Sequence, residues 1–449
     1  MPLLEPSIAE ANDLLSPPRK TKKVLILAHN HPLLFPGGAE ILAYDLFKAI
    51  RSQTHYEPFF IGAAASHVKQ FHNDTSFQTL VDAPDEMLLE GEPFDYFYQS
   101  RPIYKLNYLY RDFKKFLEGF QPDIIHFHHT MRVGLEAIHV ARATLPKVKI
   151  VYTLHEFILM CNHNGQMIRV HNNELCDRAS PEKCHQCFPD ISSQQFKMRE
   201  IFIKEHLELV DQIISPSHFL ANRFIDWGIP QEKMLVLENG RDLTEAAPPR
   251  ELASGETRNV FAFFGQINPY KGAVLLLEAV EYLLKHHYTN FRLEIFGNIG
   301  SGDQSFRDNF WRLINRCQEY VTYHGKYKPE EMPTLLEKVD WVVMPSIWWE
   351  NSPLVIQEVF MHKRPMICGN IGGMAEKVED GVTGLHFRVR DKASLAKTMR
   401  QASSDVELWE RLVRNIKTPL SIEECAKQHV NLYDSLISSN SNPSAIANE

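Results

Sequence analysis

Residues 346–358 read Ser346-Ile-Trp-Trp-Glu350-Asn351-Ser352-Pro353-Leu354-Val-Ile-Gln-Glu358 and predict a strand end, a turn and a helix. Ser352 is a residue type favoured at an N-cap, and Pro353 suits the first helical position, where its missing N–H costs nothing. Apolar residues then recur at helical spacing, at Val355, Ile356, Val359 and Phe360. We therefore expect a helix that begins at Pro353 and packs this face against a core.

Two glutamates flank the predicted start of this helix. Glu350 lies in the turn just before it, beside free backbone N–H groups that favour a phosphate or another anion, and Glu358 lies at the edge of the apolar face. Two carboxylates on either side of an anion site suit a sugar nucleotide, which has hydroxyls at both ends and a diphosphate between them. The spacing alone also fits two solvated charges on a helix.

The Glu-x7-Glu pattern resembles the donor site of retaining glycosyltransferases of the GT-B architecture, in particular the large family four. In that family the first Glu contacts the donor sugar and the second contacts the nucleotide ribose. The resemblance implies these roles for Glu350 and Glu358. It also implies contacts to the sugar and phosphate from the residues that follow the first Glu: Asn351, Ser352, Pro353 and Leu354.

The composition predicts a globular protein of about two domains. A chain of 449 residues is too long for one ordinary core, and its 44% hydrophobic and 23% charged residues are typical of soluble proteins. No apolar run approaches the ~20 residues of a membrane-spanning helix, and the acidic N-terminus lacks the apolar segment of a secretory signal. The net charge of -8 argues against a nucleic-acid partner. We expect a cytoplasmic protein.

The N-terminal part begins with a strand, a glycine turn and a helix. Val24-Leu-Ile-Leu27 predicts a buried strand, and Pro36-Gly37-Gly38-Ala39-Glu40 precedes the predicted helix. This turn is neither G-x-G-x-x-G nor a P-loop, so a dinucleotide cofactor is disfavoured. It resembles the first glycine-rich loop of the same family, which implies that Gly37 and Gly38 lie under the donor diphosphate. A bare turn is the alternative.

Histidines stand at the ends of two later predicted strands. Asp123-Ile-Ile-His126-Phe-His128-His129 and Lys149-Ile-Val-Tyr-Thr153-Leu-His155 each bring imidazoles to the edge of the sheet where α/β proteins bind ligands. The resemblance implies that His128 lies near the reacting sugar, and we assign His129 and His155 to the acceptor side of the cleft. A buried structural imidazole or a metal ligand is the alternative for His128.

Two segments, one basic and one with apolar residues at helical spacing, could alternatively contact a membrane surface. The basic run Arg19-Lys20-Thr21-Lys22-Lys23 could lie on an anionic surface, although a solvated lead into the first strand is simpler. Leucines and aromatic residues between 106 and 120 recur at helical spacing, which predicts an internal core face or, alternatively, a helix lying at the inner face of the membrane.

Four cysteines follow the second histidine strand: Cys161, Cys176, Cys184 and Cys187. The last two form a C-x-x-C pair of the kind that holds zinc, although the second such pair of a strong zinc motif is missing. We predict that they could bind a structural zinc; reduced thiols are the next alternative, followed by a redox switch or an iron–sulfur cluster. Transfer itself would need no cofactor.

The second half repeats the strand and turn pattern. Val260-Phe-Ala-Phe-Phe264 precedes Gln266-Ile-Asn-Pro-Tyr-Lys271-Gly272, and a lysine at a helix start opposes the helix dipole unless an anion is bound there. The family carries an Arg and a Lys in this turn to neutralise the leaving phosphates. Lys271 matches and Gln266 stands where the Arg is expected, so Arg241 or Lys326 would have to compensate.

The likeness covers residues 23 to 437 and implies an α/β protein with two Rossmann-like domains facing across a cleft, the GT-B fold. The predicted segments are a mobile tail 1–22, an N-terminal acceptor domain 23–241 with a Cys-rich insertion 156–190, a linker 242–258, a nucleotide-sugar domain 259–420, a helix 421–437 packing back across the domains and a disordered tail 438–449.

The predicted function is that of a retaining, metal-independent hexosyltransferase in polysaccharide or glycoconjugate biosynthesis. It would move a sugar from a nucleoside-diphosphate sugar to a glycan, lipid-linked or other acceptor, with His128, Glu350 and Lys271 as catalytic residues. A sugar-nucleotide epimerase of the same fold and a non-catalytic sugar-nucleotide-binding homologue are the alternatives.

Overall fold

Two α/β domains, each built on a twisted sheet, make up the protein. The computed structural model describes residues 21–65, 75–102, 109–300 and 302–439. In the first domain the sheet order is β3-β4-β2-β1-β5-β6-β7-β8, with only the β3–β4 pair antiparallel. The strands of this sheet are β1 Lys22–Ala28, β2 Tyr56–Ala64, β3 Phe77–Leu80, β4 Ala83–Glu90, β5 Ile124–His128, β6 Lys149–Thr153, β7 Gln212–Ser215 and β8 Met234–Val236.

The central strands of this sheet are buried on both faces. Along β1, Leu25 and Leu27 belong to one hydrophobic cluster, while Val24 and Ile26 belong to another on the opposite face. Alternation along a strand produces this division, and helices cover both faces. The helices are α1 Gly38–Gln53, α2 Lys114–Phe120, preceded by a π-helical turn Leu109–Phe113, α3 Glu136–Thr144, α4 Pro181–Cys187, α5 Ser193–Glu208 and α6 His218–Trp227.

The second domain has six parallel strands in the order β11-β10-β9-β12-β13-β14, a doubly wound arrangement. Its strands are β9 Val260–Phe264, β10 Arg292–Phe296, β11 Val321–Gly325, β12 Trp341–Met344, β13 Met366–Gly369 and β14 Gly384–Phe387. Its helices are α7 Ala273–Lys285, α8 Gln304–Cys317, α9 Met332–Leu336, α10 Leu354–Met361, α11 Gly372–Lys377, α12 Lys392–Ser404 and α13 Val406–Asn415.

The chain crosses between the domains twice, and the two crossings are hydrogen-bonded to each other. The Arg241 N–H donates to Leu420 O at 2.9 Å, and the Ile422 N–H donates to Arg241 O at 2.8 Å. Residues 242–259 between β8 and β9 form neither helix nor strand. The last helix, α14 Ile422–Ser439, returns to the first domain, where Tyr433 and Val430 join a core shared with α1.

Most of the described apolar residues between 110 and 120 face inward, whereas Tyr110 is 38% exposed. Phe113 and Leu117 are fully buried, and Phe116 and Phe120 pack against the same core. The described part of this segment therefore has the core face that the spacing predicts, while residues 103–108 lie outside the described ranges. No helix within those ranges is both long and apolar enough to cross a membrane.

Candidate active site

The cleft is lined by the carboxyl ends of parallel strands from the first domain and by the start of α10 from the second. A Cβ placed on Gly38 would lie 3.7 Å from Leu354 Cδ1, which shows how closely the glycine turn faces α10. The Asn351 side-chain amide donates to His155 O across the cleft at 3.1 Å. The two ligand-binding edges expected from the sequence thus face each other.

Lys271 and Glu350 form an ion pair in the wall of this cleft. Lys271 Nζ lies 2.7 Å from Glu350 Oε1, and the same oxygen accepts from Ser346 Oγ and Trp348 Nε1, each at 2.8 Å. Burial alone would raise the pKa of the Glu350 carboxyl, but Lys271 and the other two donors hold it below its ordinary value. The carboxylate is therefore ionised and held at one oxygen by three donors.

Two glycines allow neighbouring turns to lie against this pair. Gly272 has φ +77° at the N-cap of α7, and a Cβ there would stand 1.9 Å from Pro345 O. A Cβ on Gly373 would stand 1.8 Å from Asn351 O, and the Gly373 N–H donates to Glu350 O. Only glycine fits at these positions, so the backbone on either side of Glu350 is fixed by close approach.

Helix α10 begins one residue later than the sequence predicts, and Ser352 does not cap it. Pro353 occupies the N-cap position, with no side-chain cap, and the Ser352 hydroxyl donates to Glu238 Oε1 of the first domain at 3.3 Å. The prediction of a Ser352 cap is wrong because the helix starts at Leu354, which places Ser352 one residue before the N-cap position. In the first turn the Ile356 N–H donates to Pro353 O at 3.1 Å, and no side chain among the described residues caps the helix start.

Glu358 lies beside a cavity of about 360 Å³ that Gln266, Lys326 and Tyr327 also line. Arg241 Nη2 donates to Glu358 Oε1 at 2.6 Å, while burial raises the pKa of this carboxyl despite the neighbouring arginine. Of the two cations considered for the missing arginine, Arg241 is thus already engaged by a carboxylate. Lys326 shares the cavity wall with Gln266.

The strand-end histidines form a stack on the opposite wall. His128 Nδ1 and His155 Nε2 lie 3.3 Å apart, and the ring centroids of His126 and His128 are 4.2 Å apart. Burial lowers the pKa of His128 well below its ordinary value, so the ring is neutral. Its buried Nε2 has no hydrogen-bond partner among the described residues. The structure therefore holds a buried, neutral imidazole nitrogen beside the cleft whose hydrogen-bonding capacity the described residues leave unused.

His129 forms a separate pair with Glu156, which the sequence reasoning did not single out. The Met131 N–H donates to His129 Nδ1 at 3.0 Å, so the neutral ring carries its proton on Nε2, which lies 2.9 Å from Glu156 Oε1. Burial raises the pKa of Glu156 to about 8. Glu156 directly follows His155 at the end of β6, so the strand-end argument that selected the histidine would also have found the carboxyl.

Glu40 lies beneath the glycine turn and links it to the first strand. Its Oε1 lies 2.8 Å from His29 Nε2 and accepts from Asn30 Nδ2 at 2.9 Å. Burial would raise the pKa of Glu40, but these two partners lower it to about 2. Gly37 leaves room for this carboxylate, because a Cβ there would stand 2.4 Å from Glu40 Oε2.

The predicted structural zinc is not supported. Across residues 21–65, 75–102, 109–300 and 302–439, no group of three or more His, Cys, Asp or Glu side chains is placed to hold a metal ion. Cys161 is buried and Cys184 is half-buried in the hydrophobic core of the first domain, where burial raises the pKa of their thiols to about 11 and about 12. The Cys176 thiol donates to Arg178 O, and Cys176 and Cys184 pack against the hydrophobic cluster that contains Leu25 and Leu27. Cys187 is a free thiol at the end of α4.

The buried imidazoles predict that acid weakens folding below about pH 6.5. Burial lowers the pKa of His126, His128 and His129 well below 6.5, that of His155 to about 3 and that of His429 to about 4. Only the unfolded chain takes up protons at these sites as the pH falls, which costs up to about 1.4 kcal/mol per imidazole and pH unit. Burial raises the pKa of Glu136 to about 7 and of Glu156 to about 8, and these two carboxyls offset part of the slope.

Urea unfolding at pH 7.5, 6.5 and 5.5 measures this slope. We expect the free energy of unfolding to fall towards pH 5.5. In His429→Gln the slope of this decrease should be smaller by the contribution of one imidazole, up to about 1.4 kcal/mol per pH unit. His139 is exposed, so His139→Gln is the control and should leave the slope unchanged. A stability that is equal at pH 7.5 and 5.5 would contradict the prediction.

The fold and the paired walls of the cleft define a protein of the GT-B class, with two Rossmann-like domains facing each other. The chain belongs to the group 1 glycosyltransferases. Residues 246–418 match the family model described as glycosyl transferases group 1, and residues 36–245 match the model described as glycosyltransferase family 4.

Curated relatives share about a quarter of their aligned residues with this chain. The D-inositol 3-phosphate glycosyltransferase of Nocardia farcinica is 26% identical over 224 residues, covering 48% of this chain and 49% of that protein. The lipopolysaccharide 1,2-N-acetylglucosaminetransferase of Salmonella typhimurium is 26% identical over 186 residues, covering 39% and 48%. The chain thus spans about half the length of these two relatives.

Solved structures show the same fold over most of this chain. Anabaena HepE in complex with UDP has a TM-score of 0.66 at 19% identity, covering 92% of this chain and 100% of that one. Sucrose-phosphate synthase from Thermosynechococcus elongatus has a TM-score of 0.66 at 17% identity, covering 93% and 100%.

Proposed function

We propose that this protein is a retaining glycosyltransferase that transfers a hexose from a nucleoside-diphosphate sugar to an acceptor hydroxyl. The observation that carries the proposal is the Lys271–Glu350 ion pair beside the start of α10, across the cleft from the stacked histidines. A cation and free N–H groups suit a diphosphate, and a fixed carboxylate suits sugar hydroxyls.

The donor would lie along the wall of the second domain. Its diphosphate meets Lys271 and the first turn of α10, and its nucleoside enters the cavity beside Tyr327, where Glu358 meets the ribose. Gly37 and Gly38 cover the diphosphate from the other domain. The sequence contains no Asp-x-Asp pair, so these groups would carry the diphosphate charge without a divalent metal. The UDP bound to Anabaena HepE supports UDP as the first ligand to test.

Transfer would proceed on one face of the sugar. The bond from the anomeric carbon to the leaving phosphate breaks, the acceptor oxygen bonds to that carbon on the same face, and the acceptor proton passes to a phosphate oxygen. Glu350 positions the sugar and is not a nucleophile. His128 contributes its free, neutral Nε2 to a sugar hydroxyl, and Lys271 stabilises the charge that develops on the leaving group.

The acceptor would bind to the first domain, near His129 and His155. Hydrogen bonds from neutral imidazoles and from the carboxyl of Glu156 suit hydroxyl groups, which supports a glycan or a lipid-linked sugar. The activity named for the Salmonella relative supports a role in polysaccharide or glycoconjugate synthesis.

The test is incubation with a panel of UDP-, GDP- and ADP-hexoses deuterated at C2, followed by NMR. Slow hydrolysis that releases the sugar with its anomeric configuration retained is the expected result. Exchange of the C2 deuterium would favour an epimerase instead. Nucleotide binding without any turnover would favour a binding protein, for which the uncharged Gln266 is the motivating feature.

A further inference from the structure

Trp348 contacts several groups of the proposed donor site. Its indole N–H donates to Glu350 Oε1 at 2.8 Å, its ring lies 5.5 Å from Lys271 Nζ, and it stacks on Tyr270 with centroids 5.4 Å apart and planes within 10°. Stacking on Tyr270 fixes the plane of the indole, so the N–H direction is fixed as well.

Lys271 has two competing partners once a diphosphate binds. Without a ligand its ammonium pairs with Glu350, whose carboxylate is only 8% exposed. A diphosphate at the start of α10 carries more charge than one carboxylate and attracts the same ammonium. When Lys271 turns to the phosphate, Glu350 keeps two of its three donors, Ser346 and Trp348.

We propose that Trp348 is a positioning residue that keeps the Glu350 carboxylate ionised and aimed at the donor sugar while Lys271 neutralises the diphosphate. The inference rests on the proposed function and goes beyond it. It states that a neutral indole stabilises the buried Glu350 carboxylate while Lys271 moves from that carboxylate to the diphosphate. Ser346 supplies the second hydrogen bond but can rotate, whereas the stacked indole cannot.

The other charged side chains around Glu350 are engaged elsewhere. Glu376 on α11 accepts from the backbone N–H groups of His218 and Phe219, and Arg223 on α6 lies over the Trp349 ring. His155 pairs with His128, and only its carbonyl reaches the turn after Glu350. None of these groups replaces Lys271 beside the carboxylate.

The experiment compares UDP binding to wild type and Trp348→Phe by calorimetry between pH 7.0 and 8.5, in buffers of different ionisation enthalpy. Phenylalanine keeps the ring stacking but removes the N–H donor. When Lys271 turns to UDP in this variant, the buried Glu350 should take up a proton. Because binding then takes up a proton, the UDP affinity of the variant should weaken relative to wild type as the pH rises. The expected decrease is up to about tenfold per pH unit, the slope for one whole proton.

Trp349→Phe is the matched control. Its indole N–H donates to the carbonyl of Cys176 at 3.0 Å, so the substitution removes a hydrogen bond of the same kind that does not reach Glu350. This control should bind UDP without added proton uptake, and Glu350→Gln combined with Trp348→Phe should abolish the uptake. Proton uptake equal to wild type in Trp348→Phe would overturn the inference alone. Failure of the wild type to bind UDP, GDP or ADP would overturn the proposed function and the inference with it.

Discussion

Glutamine at position 350 should slow turnover strongly while tightening the binding of UDP. The amide keeps the shape of the side chain and can still accept from Ser346 and Trp348, but it no longer attracts Lys271. The freed ammonium can meet the diphosphate without first leaving a carboxylate, which removes a cost of about 1 kcal/mol from binding. We expect UDP to bind about three- to tenfold more tightly, and donor turnover to fall by about 100-fold or more.

Calorimetry with UDP and NMR of donor hydrolysis measure the two effects on the same protein. Glu407 is exposed at the start of α13, so Glu407→Gln is a charge-matched control that should change neither quantity. A tenfold weaker affinity for UDP in Glu350→Gln would contradict the competition for Lys271. An unchanged turnover would remove Glu350 from the reaction.

Replacement of Lys271 by methionine should weaken both folding and UDP binding. Glu350 would remain buried without its counter-charge, and breaking a buried ion pair costs about 3–5 kcal/mol. Lys271 is partly exposed, with 27% of its side chain accessible, so we expect about 3 kcal/mol, at the low end of this range. UDP affinity should fall by more than about tenfold because the cation at the diphosphate is lost.

The double variant Lys271→Met with Glu350→Gln separates the two effects. Removing the unpaired carboxylate should restore most of the unfolding free energy measured in urea, but it should not restore UDP affinity. Lys285→Met removes an exposed lysine paired with Glu281 and should cost less than about 1 kcal/mol. A double variant as unstable as Lys271→Met alone would show that the lysine stabilises the fold through other contacts.

The turns of the proposed donor site were predictable because their signals are local. Lys271 at the start of α7 opposes the helix dipole, and this conflict alone pointed to an anion. Glu350 and the start of α10 followed from a proline and an apolar repeat. The histidines followed from their positions at strand ends, where parallel sheets bind ligands.

The partners of these residues were not predictable in the same way. Ser352 has the sequence context of a cap, yet it lies one residue before the N-cap and its hydroxyl donates to Glu238 of the other domain. The cysteine spacing suggested zinc, yet the described residues hold no group of three or more side chains placed to bind a metal ion. In the sequence, Trp348 is one of two adjacent tryptophans in a turn, and nothing there distinguishes it from Trp349. Its hydrogen bond to Glu350 depends on stacking against Tyr270.

By itself, the sequence determined the two α/β domains and the turns that carry the candidate site, because apolar periodicity, glycine turns and helix starts are set by neighbours along the chain. The tertiary structure alone decided which charges meet. Lys271 reaches Glu350 and Arg241 reaches Glu358 across 79 and 117 positions of the chain. Such pairs form only when sheet order and the return of the chain at Arg241 bring separate strand ends within hydrogen-bond distance, which no local pattern encodes.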